Sequence, residues 1–496
     1  MTHFNLITDP WIPVRWCEGS RPPELIGLRE LFLEGDHIAD LSATPHERIS
    51  LMRLFVCIAQ SALGAPPHPG EWEGFGEDIG SVVPEYLDRP EIQDRFELFG
   101  DGSRFLQGSI NGSKDPVPAS KLFPHLATGN NPTVFDHAGG TERTEPASLL
   151  ALGLLTFQNF YPLYGAGYKG KGPCVDGNML HLLLQGATIA DTIRMNSLDA
   201  ETMGRAFPKG MGRPWWELSQ DDPDFERNAT ETYLGRLVPR HRTVKLTDDR
   251  TGFYLTKESL LYPVFEAALE PTATVVLRRK GNDLQRALLP ARLDRAIWRD
   301  LHLMCSLYVS DHDEKGAAPL ILQSHAEELD NSDHPATLIW TGALVTDLKA
   351  KILDSVESTF TVPTRMLHSI PAQIEYENGV AFSESMSKRL FGAVKTYASK
   401  MKHENAPVEA AQRYYWHSLD RESHLLLDLV GDPDAMKNRE FGKGVGDEAD
   451  SWTRCVRRAL HKAYEATCPR QTPRQYEAYA TGLRVLHPKP KKPASS

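Results

Sequence analysis

Cysteine is scarce in this 496-residue chain, and its six cysteines are not arranged for metal or disulfide chemistry. They are scattered and form no C-x-x-C pair, which argues against a structural zinc site and against a disulfide framework. Long apolar runs are missing too, because the most apolar stretch, Leu149 to Phe157, is far shorter than the roughly 20 residues that cross a bilayer. The first ten residues lack the basic start and apolar segment of a signal peptide. We therefore expect a cytoplasmic protein with no membrane partner.

An excess of positive charge is also absent. The chain carries 66 acidic and 55 basic residues, a formal net charge of −11, so the protein as a whole repels nucleic acid. Any polyanionic partner must meet a local basic patch. Hydrophobic residues make up 41% and charged residues 24%, as in a soluble, folded protein. At about 100–200 residues per domain, the length predicts two to four domains.

Catalytic and metal-binding motifs are likewise missing. The sequence contains neither the G-x-S-x-G elbow of hydrolases nor the H-E-x-x-H motif of zinc proteases. Three short His/Asp clusters occur at 311–313, 332–334 and 417–420, but none pairs with another at a recognised ligand spacing. Solvated surface is the simpler interpretation of these clusters. We expect no enzyme, no cofactor and no metal site.

The pattern along the chain predicts an α+β fold in two parts. Short β-rich pieces and Gly/Pro-punctuated segments fill the first 365 residues or so, and residues 60–145 are expected to be loop-dominated. Helical periods follow, in four segments that begin near Ser383, Ala406, Trp452 and Thr472, and each has one apolar stripe that it cannot bury alone. These segments predict a four-helix bundle. The expected organisation is a large irregular mixed N-terminal domain (1–370), the bundle (371–487) and a disordered basic tail (488–496).

A glycine-rich loop from Gly165 to Gly172 allows three interpretations. It nearly matches the phosphate-binding G-x-x-x-x-G-K-[ST] motif of nucleotide hydrolases, but Gly172 and Pro173 stand where the hydroxyl residue and the helix should begin. It is also compatible with a flexible Gly-rich turn. The third possibility is a backbone that approaches a partner closely, such as a DNA groove, with Lys169 and Lys171 supplying positive charge.

The third helical segment predicts one basic face. At about 100° per residue, its basic side chains fall opposite the apolar stripe; they are Arg454, Arg457, Arg458, His461 and Lys462. From residue 454 to the end, ten Lys/Arg face two Glu, a net of +8 inside a negatively charged chain. This segregation favours a polyanionic partner, while a merely solvated face remains the alternative. The basic stretches 236–245 and 278–281 extend such a track or form exposed strand edges.

Several strings together resemble one family over essentially the whole chain. The opening 5–15, the loop Gly129-Asn-Asn-Pro-Thr-Val-Phe-Asp-His137, the Gly165–Gly172 loop and the helical C-terminal region are similar to the CasA family, the large subunit of the type I-E CRISPR surveillance complex Cascade. The resemblance implies a non-catalytic subunit of an antiviral defence complex. It also implies that the subunit reads the protospacer-adjacent motif (PAM) in double-stranded target DNA, helps to start unwinding and presents the target to a helicase-nuclease. The implied partners are that DNA, the guide RNA 5′ end, the other Cascade subunits and the helicase-nuclease.

The resemblance also assigns residues to two loops. The 129–137 loop is similar to the segment that docks the subunit near the guide RNA 5′ end, with the assigned residues Asn130, Asn131, Phe135 and His137. A loop aromatic that covers a local core is the alternative for Phe135. The glycine loop is similar to the family's minor-groove loop, with the assigned residues Gly165, Ala166, Gly167 and Lys169. Ala166 stands where a third successive glycine is common, which adds a methyl group at the groove floor.

Two further DNA contacts follow from the resemblance. Lys257 is similar to the family's groove-reading lysine, although an ordinary exposed lysine is an equal alternative. The segment 344–352 is similar to the hairpin wedge that splits the first target base pair. Its register is open, and the candidates for its tip are Thr346, Asp347, Lys349 and Ala350.

Overall fold

The structure is a computed structural model. It describes residues 3–487 except for positions 70, 73, 101–103, 111–114, 124–143, 162–169, 220–221, 266, 282, 308–315, 332–334, 349–350, 403–404 and 438–439. The chain forms two compact units. Unit 1 comprises Met1–Arg295, Val309–Ser332 and Leu338–Thr359, and unit 2 comprises Ala296–Tyr308, Asp333–Thr337 and Phe360–Ser496. The second unit therefore starts its main segment before residue 371 and also takes in two earlier segments. The tail 488–496 lies outside the described residues.

The strands form small sheets. Within the described residues they are β1 Ile12–Trp16, β2 Glu24–Ile26, β3 Ile38–Leu41, β4 Val117–Pro118, β5 His181–Leu184, β6 Val244–Leu246, β7 Gly252–Leu255, β8 Val275–Lys280, β9 Asp283–Leu288, β10 Ala336–Thr346 and β11 Ile352–Pro363. Three sheets have three strands each, in the orders β2-β1-β3, β11-β10-β5 and β4-β7-β6. Strands β8 and β9 form a separate antiparallel hairpin.

The helices fall into two groups along the chain. Those up to residue 331 are α1 Leu28–Leu33, α2 Pro45–Leu63, α3 Phe75–Leu87, α4 Pro90–Arg95, α5 Ala147–Phe160, α6 Ile189–Met195, α7 Ala200–Ala206, α8 Phe225–Glu231, α9 Tyr233–Leu237, α10 Leu301–Met304, α11 Leu320–Ser324 and α12 Ala326–Asn331. The later ones are α13 Thr364–His368, α14 Ile370–Met401, α15 Val408–Asp420, α16 His424–Gly431, α17 Ser451–Thr467 and α18 Pro473–Leu486. The mixed α+β class predicted from the sequence is confirmed.

Two long helices supply much of the core of unit 1. Helix α2 starts with Pro45 at its first position behind a capping box made by Thr44 and Glu47, and most of its side chains are buried. Helix α5 contains the apolar run noted in the sequence, and nearly all of its residues are buried. The two helices pack against each other. The run Leu149 to Phe157 is therefore part of a core helix. No helix among the described residues combines the length and the apolar character needed to cross a membrane.

The expectation of a loop-dominated 60–145 region was wrong in part. Helices α3 and α4 lie inside this interval. The glycines and prolines of this interval obscure a helical stripe in the sequence. Ile79, Val83 and Leu87 recur every four residues, and all three are buried.

The helical region of unit 2 matches the four predicted segments with two corrections. The first helix begins at Ile370 rather than near Ser383. Its opening turns bury Ala372, Tyr376 and Val380, but the exposed Ile370 and Ile374 obscure this stripe in the sequence. The second segment is broken into α15 and α16 at residues 421–423. Helix α14 packs against α15, α16, α17 and α18, and so is the common partner of the other helices.

Candidate nucleic-acid interface

Many of the residues assigned from the sequence lie outside the described part of the chain. These are Gly165, Ala166, Gly167 and Lys169 of the glycine loop, Asn130, Asn131, Phe135 and His137 of the 129–137 loop, and Lys349 and Ala350 of the wedge. Their roles stay predictions. The structure does describe the ends of the glycine loop and all the other assigned residues.

The two ends of the glycine loop are fastened together. The backbone N–H of Gly172 donates to the carbonyl of Tyr161 at 2.9 Å, and the N–H of Cys174 donates to the carbonyl of Asn159 at 3.0 Å. A Cβ on Gly172 would collide with the carbonyl oxygen of Asn159, so only glycine allows this close approach. The described residues on either side of 162–169 are therefore held together in a closed neck at the end of helix α5.

Lys257 sits on an exposed turn that a buried arginine holds in place. The Lys257 side chain is exposed, just after strand β7. Arg242, only 1% exposed, donates from Nη1 to the carbonyl oxygens of Thr256, Lys257 and Glu258 at 2.5–3.1 Å. The same guanidinium lies 5.1 Å from the ring centre of Tyr161, at the neck of the glycine loop. One arginine thus connects the neck to the Lys257 turn.

Direct packing also joins these two segments. Gly170 has φ +74°, and a Cβ there would collide with Oγ of Ser259 and approach the ring of His241. Burial, with a further contribution from Arg242, lowers the pKa of His241 to about 3, so this ring is neutral at pH 7. Ser259 is two residues from Lys257, a span of at most about 7 Å between Cα atoms. The described end of the glycine loop and Lys257 therefore belong to one surface region.

The hairpin between β10 and β11 places only part of the predicted wedge at its tip. Thr346 is 5% exposed, and its N–H and hydroxyl donate to Oδ1 of Asn178 at 3.0 and 2.8 Å. Thr346 is therefore an anchor of the hairpin, and the prediction that it is a tip candidate was wrong. Asp347 is exposed. Next to it, Leu348 is 57% exposed and has φ +62°.

Leu348 is a candidate that the sequence analysis passed over. Proteins that kink DNA often insert apolar side chains between base steps, so an exposed leucine in this turn is a further wedge candidate. A leucine between aspartate and lysine in a predicted hairpin turn was the available signal.

The basic stretch 278–281 lies on a protruding two-stranded ribbon. Strands β8 and β9 pair from Val275↔Leu288 to Lys280↔Asp283, and the two-residue turn between them begins with Gly281 at φ +65°. The base of the ribbon packs into a small core with Met179, while the outer half is exposed and carries Arg278, Arg279 and Lys280. Of the two interpretations left open by the sequence, exposed strand edges are what the structure contains. The three basic side chains of this outer half are nevertheless exposed to solvent.

The basic face of α17 is present, but its four assigned residues differ in their contacts. The apolar stripe is buried as the helical wheel predicts. Arg454 and Lys462 are exposed, although Arg454 also donates to the carbonyl oxygen of Ala449 at 2.6 Å, and Arg458 is exposed beside Glu422 at 3.6 Å. Arg457 is half-buried and donates to the carbonyl oxygens of Gly444 and Gly442 at 2.7 and 2.5 Å. Arg457 therefore holds the 442–444 loop, and three cations remain exposed.

Comparison with known proteins identifies the family. A family model described as CRISPR-associated protein Cse1 matches residues 5–463. The chain belongs to the Cse1 family. The CRISPR-associated protein CasA/Cse1 of Thermus thermophilus is 27% identical over 514 aligned positions, which cover 94% of this chain and 92% of that protein. These matches confirm the family resemblance found in the sequence.

Solved structures show the Cse1 fold along the whole chain. The crystal structure of Thermus thermophilus CasA superposes with a TM-score of 0.75 at 22% identity and covers 98% of both chains. A chain from a CRISPR RNA-guided surveillance complex superposes with a TM-score of 0.71 at 17% identity, covering 98% of this chain and 100% of that one.

The geometry gives no support to a nucleotide-hydrolase site in this Cse1-family chain. Lys171 is ion-paired with Asp176, and the first α-helix after the loop begins only at Ile189. A phosphate-binding loop of that class needs its helix directly after the lysine. In the described residues, no three His, Cys, Asp or Glu side chains are grouped to hold a metal ion.

Proposed function

We propose that this chain is the large, non-catalytic subunit of a type I-E CRISPR RNA-guided surveillance complex that acts in the cytoplasm in antiviral defence. It reads the PAM in double-stranded target DNA, helps to start unwinding and recruits the helicase-nuclease. Its other partners are the remaining Cascade subunits and the 5′ end of the guide RNA. Family membership supports this proposal, as does the fold shared with a chain of an RNA-guided surveillance complex.

The observation that carries the proposal is the joint anchoring of the glycine loop and the Lys257 turn. A side-chain-poor loop suits a narrow minor groove, and a lysine beside it suits the acceptor atoms on the groove floor. Such a reader works only if the two parts keep a fixed spacing. In the described residues, Arg242, Ser259 and the neck at Tyr161 connect the base of the glycine loop to the Lys257 turn, which supports such a role. Ala166 sets how closely the loop reaches the groove floor.

Two further elements fit contacts to the duplex. The outer half of the β8–β9 ribbon places Arg278, Arg279 and Lys280 in solvent, where they are suited to phosphates. At the β10–β11 hairpin, Asp347 and Leu348 are exposed in the wedge segment, which Thr346 anchors through Asn178. Insertion of such an apolar side chain costs a few kcal/mol of unstacking, offset by backbone contacts and guide pairing.

The remaining assignments concern phosphates and docking. Arg454, Arg458 and Lys462 on α17 are proposed to hold phosphates of the incoming duplex or the displaced strand. The 129–137 loop is proposed to dock the subunit at the guide RNA 5′ end through Phe135, with Asn130, Asn131 and His137 beside it.

The test uses the complex assembled with guide RNA and the other subunits. Binding is measured to a matched duplex that carries the PAM and to the same target as a single strand, for Lys257→Ala and Ala166→Leu. We expect both changes to weaken duplex binding by about 1–3 kcal/mol, the size of one good groove contact. Binding to the single strand should stay nearly intact, because it needs no groove entry.

The matched control is Lys437→Ala, which removes an exposed lysine from unit 2 that is paired only loosely with Asp434, at 3.5 Å. It should leave both substrates unaffected. Equal losses on duplex and single strand for Lys257→Ala or Ala166→Leu would contradict the groove-reading role. Normal duplex binding by both variants would contradict it as well.

A further inference from the structure

Two histidines face each other at the carboxyl end of α18, within the electrostatic reach of two arginines. His461 of α17 and His487, which caps α18, have their Nε2 atoms 2.8 Å apart, and their rings stack with centroids 4.6 Å apart and an interplanar angle of 20°. Arg389 of α14 and Arg457 of α17 act electrostatically on His487. None of the roles proposed above uses the two histidines or Arg389.

The cluster lacks acidic residues to balance it. Within the described part of the chain, Arg389, Arg457, His461 and His487 form no ion pair. The sequence from Ser385 to Lys402 carries five Lys/Arg and no acidic residue. Three more lysines, at 489, 491 and 492, follow His487 in the sequence. Like charges this close destabilise one another unless an anion lies among them or the imidazoles stay neutral.

The positive neighbours of His487 oppose its protonation. Burial lowers the pKa of His487, and His461, Arg389 and Arg457 lower it further. One hydrogen lies between the facing Nε2 atoms of His461 and His487, which is the arrangement that a 2.8 Å separation allows. An oxyanion bound there favours a hydrogen on each Nε2 together with a positive charge, and uptake of one proton by His487 supplies both.

We propose that Arg389, His461 and His487 form a phosphate-binding site, beside the positive charge of Arg457, in which anion binding is coupled to the uptake of one proton. The ligand is a phosphate group, either free or in a nucleic-acid backbone. Affinity therefore rises as the pH falls, by up to about tenfold per pH unit for one coupled proton. The site does not depend on the proposed PAM-reading function, because free phosphate occupies it as well.

The experiment is a titration of the full chain followed by NMR of its histidine Cε1–H groups. Inorganic phosphate is added at pH 6.0 and at pH 7.5 against chloride of equal ionic strength, and a single-stranded oligothymidine of eight nucleotides is tested in parallel. We expect saturable shifts of the His461 and His487 signals, with phosphate binding at least fivefold tighter at pH 6.0. His424, an exposed histidine at the start of α16, provides the internal control and should not shift.

Two variants make the outcome decisive. Arg389→Gln removes one positive neighbour, so in chloride the midpoint of the His487 titration should move to higher pH, while phosphate binding weakens at least threefold. His487→Gln should abolish the shift of His461. Shifts with the oligonucleotide alone would assign the site to a nucleic-acid backbone, and shifts with both would assign it to any phosphate group. No saturable shift with either, or equal affinity at the two pH values, would overturn the proposal.

Discussion

The position of the Lys257 turn should depend on Arg242, and replacing this arginine by methionine tests that dependence. Methionine keeps an apolar stem beside Tyr161 but removes the guanidinium that donates to the carbonyl oxygens of Thr256, Lys257 and Glu258. A hydrogen bond from a charged group is worth about 1.5–3 kcal/mol. Because the three acceptors share one nitrogen, they do not make three full hydrogen bonds. We expect the local stability of the turn to fall by about 2–4 kcal/mol.

The loss of stability should be confined to the Lys257 turn. Gln158 holds the backbone of residue 242 independently of its side chain, accepting from the N–H at 3.0 Å and donating to the carbonyl at 2.8 Å. Two backbone bonds report on the turn itself: Thr256 N–H to Thr243 and Leu260 N–H to His241, at 3.1 and 2.9 Å. A loss of about 3 kcal/mol in local stability makes their amide exchange about 100-fold faster.

The assay is hydrogen exchange on the purified chain, combined with duplex and single-strand binding by the assembled complex. Arg242→Met should accelerate exchange at residues 256 and 260 and should weaken duplex binding as Lys257→Ala does. Arg205→Met is the control, because Arg205 is an exposed arginine of unit 1 that bonds only the nearby hydroxyl of Thr202 among the contacts described. Unchanged exchange at residues 256 and 260 would show that other contacts position the turn, and the reasoning from Arg242 would fail.

Three further outcomes are expected. Phe135→Ala should abolish docking to the guide-bound complex with little change in the melting temperature of the free chain; a marked drop in that temperature would make Phe135 a core residue. Replacing Arg458 and Lys462 by glutamate should weaken binding to all targets alike. The slope of log affinity against log salt should become shallower by about 0.9 for each lost phosphate contact, and an unchanged slope would contradict phosphate binding. Burial lowers the pKa of His181 to about 4, so the folded state binds fewer protons than the unfolded state between pH 4 and 6.5. Protonation of this histidine should lower the free energy of unfolding by about 3 kcal/mol as the pH drops through that window. His181→Gln should therefore reduce the pH dependence of the melting temperature.

Local patterns were readable from the sequence where one helix or strand decides the structure. The buried stripe of α17 and the cap of α18 at Thr472 follow from spacing within a single segment. The break between α15 and α16 was not readable, because apolar residues continue through Leu419 and Leu426 on both sides of it. A periodic pattern records which residues are buried, and two short helices bury them as well as one long helix does.

The candidate site was harder to predict, because its supports come from distant parts of the chain. Nothing in the sequence separates the buried Arg242 from its neighbour Arg240, since the acceptors of Arg242 lie 14–16 residues away on a turn. Thr346 depends on Asn178, which is 168 residues away and has φ +56°. Family resemblance located the loops, while the contacts that fix their spacing emerged only from the folded chain.

The α17 face shows how such contacts change a functional estimate. The wheel treats Arg457 and Arg458 as equivalent, because both point away from the apolar stripe. The 442–444 loop, with Gly442 and Gly444 at φ +82° and +74°, turns two carbonyl oxygens toward Arg457, whereas Arg458 stays exposed beside Glu422. Four phosphate contacts predict a slope of about −3.6 for log affinity against log salt concentration, whereas contacts from the three exposed cations predict about −2.7. Arg457→Gln should therefore change the stability of the loop far more than the salt slope, the opposite of what the same change at position 458 should do.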